Sequence, residues 1–318
     1  MSLTFATAAE ESMDAFMSVS AESAYQRQLE AYAESLLQQR CTRPEWCVLA
    51  LNGRAPVARA ALWSLPAAEI PTDLVLIDAD WSDTDVSTGQ AVITRTHDLA
   101  RNVGADDLSH SIDSPPEAPQ YQDNEQARVR LLESCGYELR RDGVRWRYSG
   151  TESTTAAPSL LFRSLPDVGE DAFVAAIEAT YEGTRDSWIS SSIEELGLLG
   201  AARADFLDMQ GMERQQDWWE LAYTADGLLA GVIMAARNPT SAVIAYVGVV
   251  PEQRGRGLAA ELVRRGTARL VDSAAAEIRG DCDRDNVPMV KAFERAGYQD
   301  FARRRTFHRL LRGVPPVL

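Results

Sequence analysis

The sequence predicts an α+β (α/β layered) fold of two tandem domains, each a mixed, mainly antiparallel sheet flanked by helices. Three observations carry this. The 318 residues exceed the ~100–200 of one ordinary domain. A strand–turn–strand pattern at 46–53 and 57–63 returns at 219–227 and 228–236. In both halves an Asp-Asn pair opens a helical pattern that Gly-Tyr closes, Asp123-Asn124 to Gly136-Tyr137 and Asp285-Asn286 to Gly297-Tyr298. Self-similarity over such lengths marks a repeated domain.

In each repeat Asn stands where a helix N-cap belongs and Gly where the left-handed C-terminal residue belongs. Arginine-rich strand patterns follow both helices, at 138–148 and 299–310. The Ser/Thr/Ala/Gly stretch 149–158 reads as a linker, giving domains 1–150 and 158–318. In the first domain, 24–39 places Tyr25, Leu29, Tyr32 and Leu36 on one helical stripe, a core or packing face. In the second, a strand at 159–164 precedes helices within 167–180 and 186–210. Strands at 218–224, 228–236 and 241–250 lead to a helix at 256–272. A strand at 276–282, a helix at 287–296 and a closing pair of strands, 298–303 and 305–311, complete it.

Composition excludes several classes. Apolar residues make up 45%, and no stretch reaches the ~20 apolar residues of a membrane span. The N-terminus has no basic segment ahead of an apolar core, so no secretory signal is expected. Cys41, Cys47, Cys135 and Cys282 lack C-x-x-C spacing, which fits a reduced, cytoplasmic protein without structural zinc. With 32 basic and 47 acidic residues the net charge is −15, most of the excess lying before residue 155. Such a surface repels nucleic acid and anionic lipid, and Arg303-Arg304-Arg305 reads as surface charge within it. It is either an ordinary solvated surface or a field that steers a cationic substrate.

The most informative segment is Val247-Gly-Val-Val-Pro-Glu-Gln-Arg-Gly-Arg-Gly-Leu-Ala259. An apolar strand runs into a glycine-rich loop at a helix N-terminus, which is an anion cradle. Arg254 and Arg256 could add charge-assisted hydrogen bonds. The spacing is neither a P-loop nor a dinucleotide fingerprint. In the first copy the run after residue 77 is rich in aspartate (Asp78, Asp80, Asp83, Asp85), which is adverse to phosphate.

The pattern Arg254-x-x-Gly257-x-Ala259, with Asn286, Phe293 and Gly297-Tyr298 behind it, resembles the GNAT acyltransferase superfamily, strongly over 158–312 and weakly over 1–150. The resemblance implies two tandem GNAT-like domains, the first degenerate and without a pyrophosphate loop. It implies acetyl-CoA as acyl donor, its pantetheine arm on the backbone of Val247, Gly248 and Val249. Its pyrophosphate would lie on Arg254, Gly255, Arg256, Gly257, Leu258 and Ala259, with Asn286 near the arm. Many family members carry a proton-donating tyrosine where this chain has Phe293. A phenyl ring donates no proton, so Phe293 is expected to pack on the arm, and the general acid is elsewhere or not needed.

Acyl transfer to an amine needs a polarised thioester carbonyl, a base for the amine and alignment of the two partners. The candidate catalytic residues are Tyr246, at the pantetheine strand, Asp281 and Asp283, which share a strand face by period two, and Glu220. Each has a structural alternative: core aromatic, solvated strand end, half-buried anchor. Trp219 and Glu182 are candidate substrate contacts. Cys282 has no histidine near it in sequence and reads as a buried strand residue. The reading is an acetyl-CoA-dependent N-acetyltransferase acting by direct attack of a small-molecule primary amine. Acetylation of a protein or peptide amine, and a non-catalytic acetyl-CoA-binding regulatory module, remain as alternatives. Oligomeric state is not legible.

Overall fold

A computed structural model describes residues 3–19, 23–66, 68–81, 86–150, 159–238 and 241–311. The linker beyond residue 150 and residues 82–85 of the acidic loop lie outside these. The chain forms two compact units, 1–141 with 304–318, and 142–303.

The first unit contains β1 (Leu3–Thr7), α1 (Met13–Ser18), α2 (Gln26–Gln38), β2 (Cys47–Asn52), β3 (Ala55–Trp63), β4 (Asp73–Ala79), α3 (Ser87–Asn102), β5 (Asp107–Ser114) and α4 (Glu125–Ser134). Strands β1 to β5 lie in sequence order, antiparallel except β4 with β5. Every residue of β2 except Asn52 is buried, because both faces are covered. Cys47 and Leu49 join Phe16, Leu29 and Leu36 of α1 and α2. Val48 and Ala50 join Val92, Ile93 and Leu131 of α3 and α4. Alternation along one strand thus feeds two cores.

The second unit contains β7 (Leu161–Ser164), α5 (Leu165–Val168), α6 (Glu170–Tyr181), α7 (Ser187–Gln210), β8 (Trp219–Tyr223), β9 (Leu229–Arg237), β10 (Ala242–Val249), α8 (Leu258–Asp272), β11 (Ile278–Asp283) and α9 (Val287–Arg295). Strands β7 to β10 are antiparallel neighbours in order, and β11 joins β10 in parallel. Gly197, at φ +73°, breaks α7 into two helical pieces where a single helical region was expected. Asn286 caps α9 by accepting the Met289 N–H at 3.4 Å, as expected. Its counterpart Asn124 sits at the start of α4 in a left-handed conformation and makes no side-chain cap. Gly136 and Gly297 take the positive φ foreseen for helix ends, +78° and +88°.

Two long strands, each inside one of the domains drawn as 1–150 and 158–318, run from one compact unit into the other. β6 (Glu138–Tyr148) and β12 (Gln299–Leu310) each change unit partway, after Arg141 and Arg303. Residues 143–148 of β6 pair antiparallel with β11 in the second unit. In the first unit Arg304 forks onto Asp113 of β5 at 2.8 and 2.7 Å. The closing strand pair at 298–311 is therefore one strand, since no turn residue interrupts it. Three of its arginines bind carboxylates: Arg303 binds Asp142, Arg304 binds Asp113, and Arg305 binds Glu125.

Adjacent residues of β8 show the layering and correct two expectations. Trp219 is fully buried against Phe173 of α6 and Phe206 of α7, and its indole N–H donates to Ala235 O at 3.1 Å. It is core, closed to substrate. Glu220 points to the opposite face and is also buried. Arg265 of α8 grips it with two bonds of 2.7 Å, and Arg269 adds a third at 2.8 Å. Both carboxylate oxygens are taken up by these guanidiniums, and Glu220 anchors α8 to the sheet. Glu220→Ala should lower stability by about 2 kcal/mol in urea unfolding, with CoA affinity unchanged. Wild-type stability in that variant would show that the ion pair anchors nothing.

Candidate active site

The parallel pairing of β10 with β11 is confined to Ala242↔Ile278 and Val243↔Arg279. A register shift between Ile244 and Tyr246 then bulges β10, while β9 stays paired to its other side as far as Val249. Bulges of this kind re-aim a strand near its functional end. The Val250 N–H donates to Ala230 O of β9 at 3.1 Å. Since main-chain groups alternate sides along a strand, those of Gly248 also face β9, and those of Val247 and Val249 face the open side. Of the three residues expected to hold a pantetheine arm, two are therefore oriented to do so. Gly248 has a different use. A Cβ there would lie 2.5 Å from the Tyr246 hydroxyl and 2.7 Å from Thr180, so only glycine leaves room for that pair.

The open edge runs into a turn at Pro251–Gln253, then into α8. Gly255 and Gly257 have φ of +79° and +80°, a region costly for other residues. Gly257 is the N-cap of α8 and no side chain caps this end. Ala260 N–H turns back to Gly257 O, while Leu258 and Ala259 sit at first-turn positions whose N–H groups have no intrahelical partner. Together with the helix dipole they form an anion site made of backbone. The two arginines depart from expectation. Arg254 binds three carbonyl oxygens, Val249 at 3.1 Å, Thr180 at 2.9 Å and Gly183 at 3.3 Å. It staples the loop to the end of α6. Arg256 is exposed and donates to the Gln253 side chain.

Tyr246 is half-buried, with its ring edge-on to Tyr181 at 5.9 Å. Thr180 spends its one hydroxyl proton on Ile177 O at 2.7 Å, so its oxygen accepts from the Tyr246 hydroxyl. Burial raises the Tyr246 pKa above that of a free phenol. The group therefore keeps its proton at neutral pH, which suits an acid and not a base.

The remaining expected residues separate. Asp283 is buried and accepts the Ser187 N–H at the start of α7 at 2.7 Å. Asp281 is exposed and faces Arg145 at 3.5 Å. They share a strand face, as period two requires, but each carboxylate goes to a different partner. Phe293 is buried between Trp146 (centroids 5.7 Å apart, stacked) and Tyr298 (5.2 Å, edge-on), within the core instead of on a ligand arm. Its place on the apolar face of α9 decides this. Cys282 is buried and accepts the Trp146 indole N–H at 3.2 Å. Glu182 is exposed at the end of α6, one residue before Gly183. Sequence reasoning missed Thr180, Tyr181 and Asp205. The Tyr181 hydroxyl donates to Asp205 of α7. The one sequence signal was position, the end of a helix beside Glu182, the candidate substrate contact.

The first unit treats its corresponding strand break differently. There β4 and β5 register at Asp73↔Ser109. The Leu76 N–H, at φ +52°, donates to the Gln120 side chain at 3.0 Å. His110 Nδ1 donates to Leu74 O at 2.9 Å and its Nε2 accepts from Gln122 at 2.9 Å. Arg128 donates to Ile77 O at 2.6 Å. Burial depresses the His110 pKa to about 4, keeping the ring neutral in this role.

Residues 186–298 match the model of the Acetyltransferase (GNAT) family. Among curated proteins, a mycothiol acetyltransferase of Corynebacterium aurimucosum is 36% identical over 64 residues, 20% of this chain and 21% of that protein's length. Among solved structures, a GCN5-related N-acetyltransferase of Sphaerobacter thermophilus superposes with TM-score 0.63 at 17% identity, covering 98% of this chain and 96% of that one. A tandem GNAT protein from the clavulanic acid biosynthesis pathway gives 0.51 at 15% identity, covering 99% and 100%. Among the described residues no helix is long and apolar enough to cross a membrane. The strand break, the uncapped glycine loop and these likenesses agree: residues 186–298 match the GNAT acetyltransferase family model, and the fold of the chain is similar to that of a tandem GNAT protein.

Proposed function

We propose that the chain transfers an acetyl group from acetyl-CoA to a primary amine of a small molecule by direct attack. The observation that carries this is the open edge of β10, Val247 and Val249, leading straight into the uncapped N-terminus of α8. An extended acyl-pantetheine arm would complete the broken pairing as a strand would. The pyrophosphate would meet the backbone N–H groups of Leu258 and Ala259. An N–H of the open edge would polarise the thioester carbonyl. Tyr246 is the proton donor nearest that edge and would protonate the departing thiolate, the part that Phe293 cannot play. The net charge of −15 suits an acceptor that arrives as a cation. No observation favours a peptide acceptor over a small one.

Incubation with acetyl-CoA and a panel of amines should release free CoA thiol with at least one of them. CoA binding without turnover on any amine would leave the non-catalytic, regulatory reading. With an active amine, Tyr246→Phe should lower kcat about 100-fold while CoA affinity stays within twofold.

The same reading gives the first unit no acyl-CoA site, because its strand break is filled by Gln120, His110 and Arg128. Calorimetric titration should find one CoA per chain, and Arg254→Glu with Arg256→Glu should abolish it. A stoichiometry of two would overturn the assignment.

A further inference from the structure

We infer that Asp205 of α7 receives the ammonium group of the acceptor and takes its first proton, with Tyr181 as the residue that positions it. The inference rests on the acetyltransferase reading above and deepens it. Acyl transfer to an amine needs a base on the acceptor side, and the structure has already committed the carboxylates that the strand ends offered. Glu220 is clamped by Arg265 and Arg269. Asp283 holds the first N–H of α7, and Asp281 faces Arg145.

Asp205 differs. It is half-buried, and one oxygen accepts the Tyr181 hydroxyl. Its other oxygen has no hydrogen bond to a described residue, and no cation pairs with it among them. Tyr181 connects it to the reaction edge, since its ring packs edge-on against Tyr246 at 5.9 Å, and Tyr246 stands over Gly248 of the open strand. A carboxylate without a cation, linked through Tyr181 to the phenol beside the open strand, is an arrangement that suits an ammonium acceptor.

The charged and titratable groups facing Asp205 are Tyr181 of α6, Tyr246 of β10, and Asp186 and Asp208 of its own helix. Arg254 acts on Tyr246 from the loop. Burial raises the Asp205 pKa and the Tyr181 hydrogen bond opposes this. The ammonium passes one proton to Asp205. Its nitrogen attacks the thioester carbon, the C–N bond forms and the C–S bond breaks. The second nitrogen proton leaves to water, and the thiolate takes the Tyr246 proton, which solvent restores. Asp205 returns its proton to solvent, so one proton is released overall for each ammonium acetylated.

The test uses the full chain with acetyl-CoA and an amine that the wild type acetylates. Asp205→Asn should lower kcat/KM for the amine at least 100-fold at pH 7 and leave the Kd for CoA unchanged. Tyr181→Phe removes the hydrogen bond that favours the carboxylate. Its acid limb of log kcat/KM should therefore move to higher pH by about one unit. A merely structural Tyr181 would lower activity equally at all pH. Wild-type kcat/KM in Asp205→Asn, or an unmoved limb in Tyr181→Phe, overturns the inference while the acetyltransferase reading stands. Failure of every amine with the wild type overturns both.

Discussion

A parallel strand that loses its neighbour leaves backbone groups that something must satisfy, and the second unit is organised around one such loss. After Val243 the pairing of β10 with β11 stops, yet the strand continues to Val249. An unpaired buried N–H or C=O costs roughly 1–3 kcal/mol. The chain satisfies part of that demand itself, through Arg254 on Val249 O. The N–H groups of Val247 and Val249 are the donors that an extended ligand would take. In the first unit, Gln120, His110 and Arg128 meet the same demand from within. One sheet defect thus has two outcomes, a docking edge and a filled seam. The difference lies in a few polar side chains whose reach matches the gap.

Arg254 gives the open edge its rigidity. Its three carbonyl partners belong to the end of β10 and the end of α6, so the glycine loop, the strand and the Thr180–Tyr181 segment move together. A donor held at the loop would be in register with the groups around Tyr246. The missing Cβ at Gly248 belongs to the same device, because it lets the Tyr246 hydroxyl reach Thr180 across the strand. Effects on binding from Arg254 would reach the ligand through this scaffold instead of through direct charge contact.

How much of this the sequence disclosed follows from the range of each interaction. The strand–loop–helix run at 247–259, the left-handed glycines, the Asn286 cap and the burial of Cys282 depend on residues within a few positions of each other. Periodicity and turn chemistry report such features directly. For Glu220 two roles stayed open because Arg265 and Arg269 stand 45 and 49 residues away on another layer, and no period links an ion pair across layers. Tyr181 and Asp205, 24 residues apart on two helices, escaped for the same reason. Composition marks a join at 149–158, whereas β6 and β12 change compact unit in mid-strand, where residue pattern does not change.

The position of the proposed proton donor follows from core packing. On α9, Phe293 is enclosed by Trp146 and Tyr298. A hydroxyl there would need a partner inside an aromatic cluster, as Tyr298 has in Thr267 at 2.7 Å. With that aromatic face committed to the core, a phenol serving the open edge has to come from another element. β10 would supply it, because residues 246 and 248 share a face and the second is glycine. Tyr246 can then lie along its own strand, with its proton lodged on Thr180 until a stronger acceptor arrives. A thiolate developing along the same edge is a stronger acceptor than a threonine hydroxyl whose own proton is already spent, so the proton would move only when the C–S bond breaks.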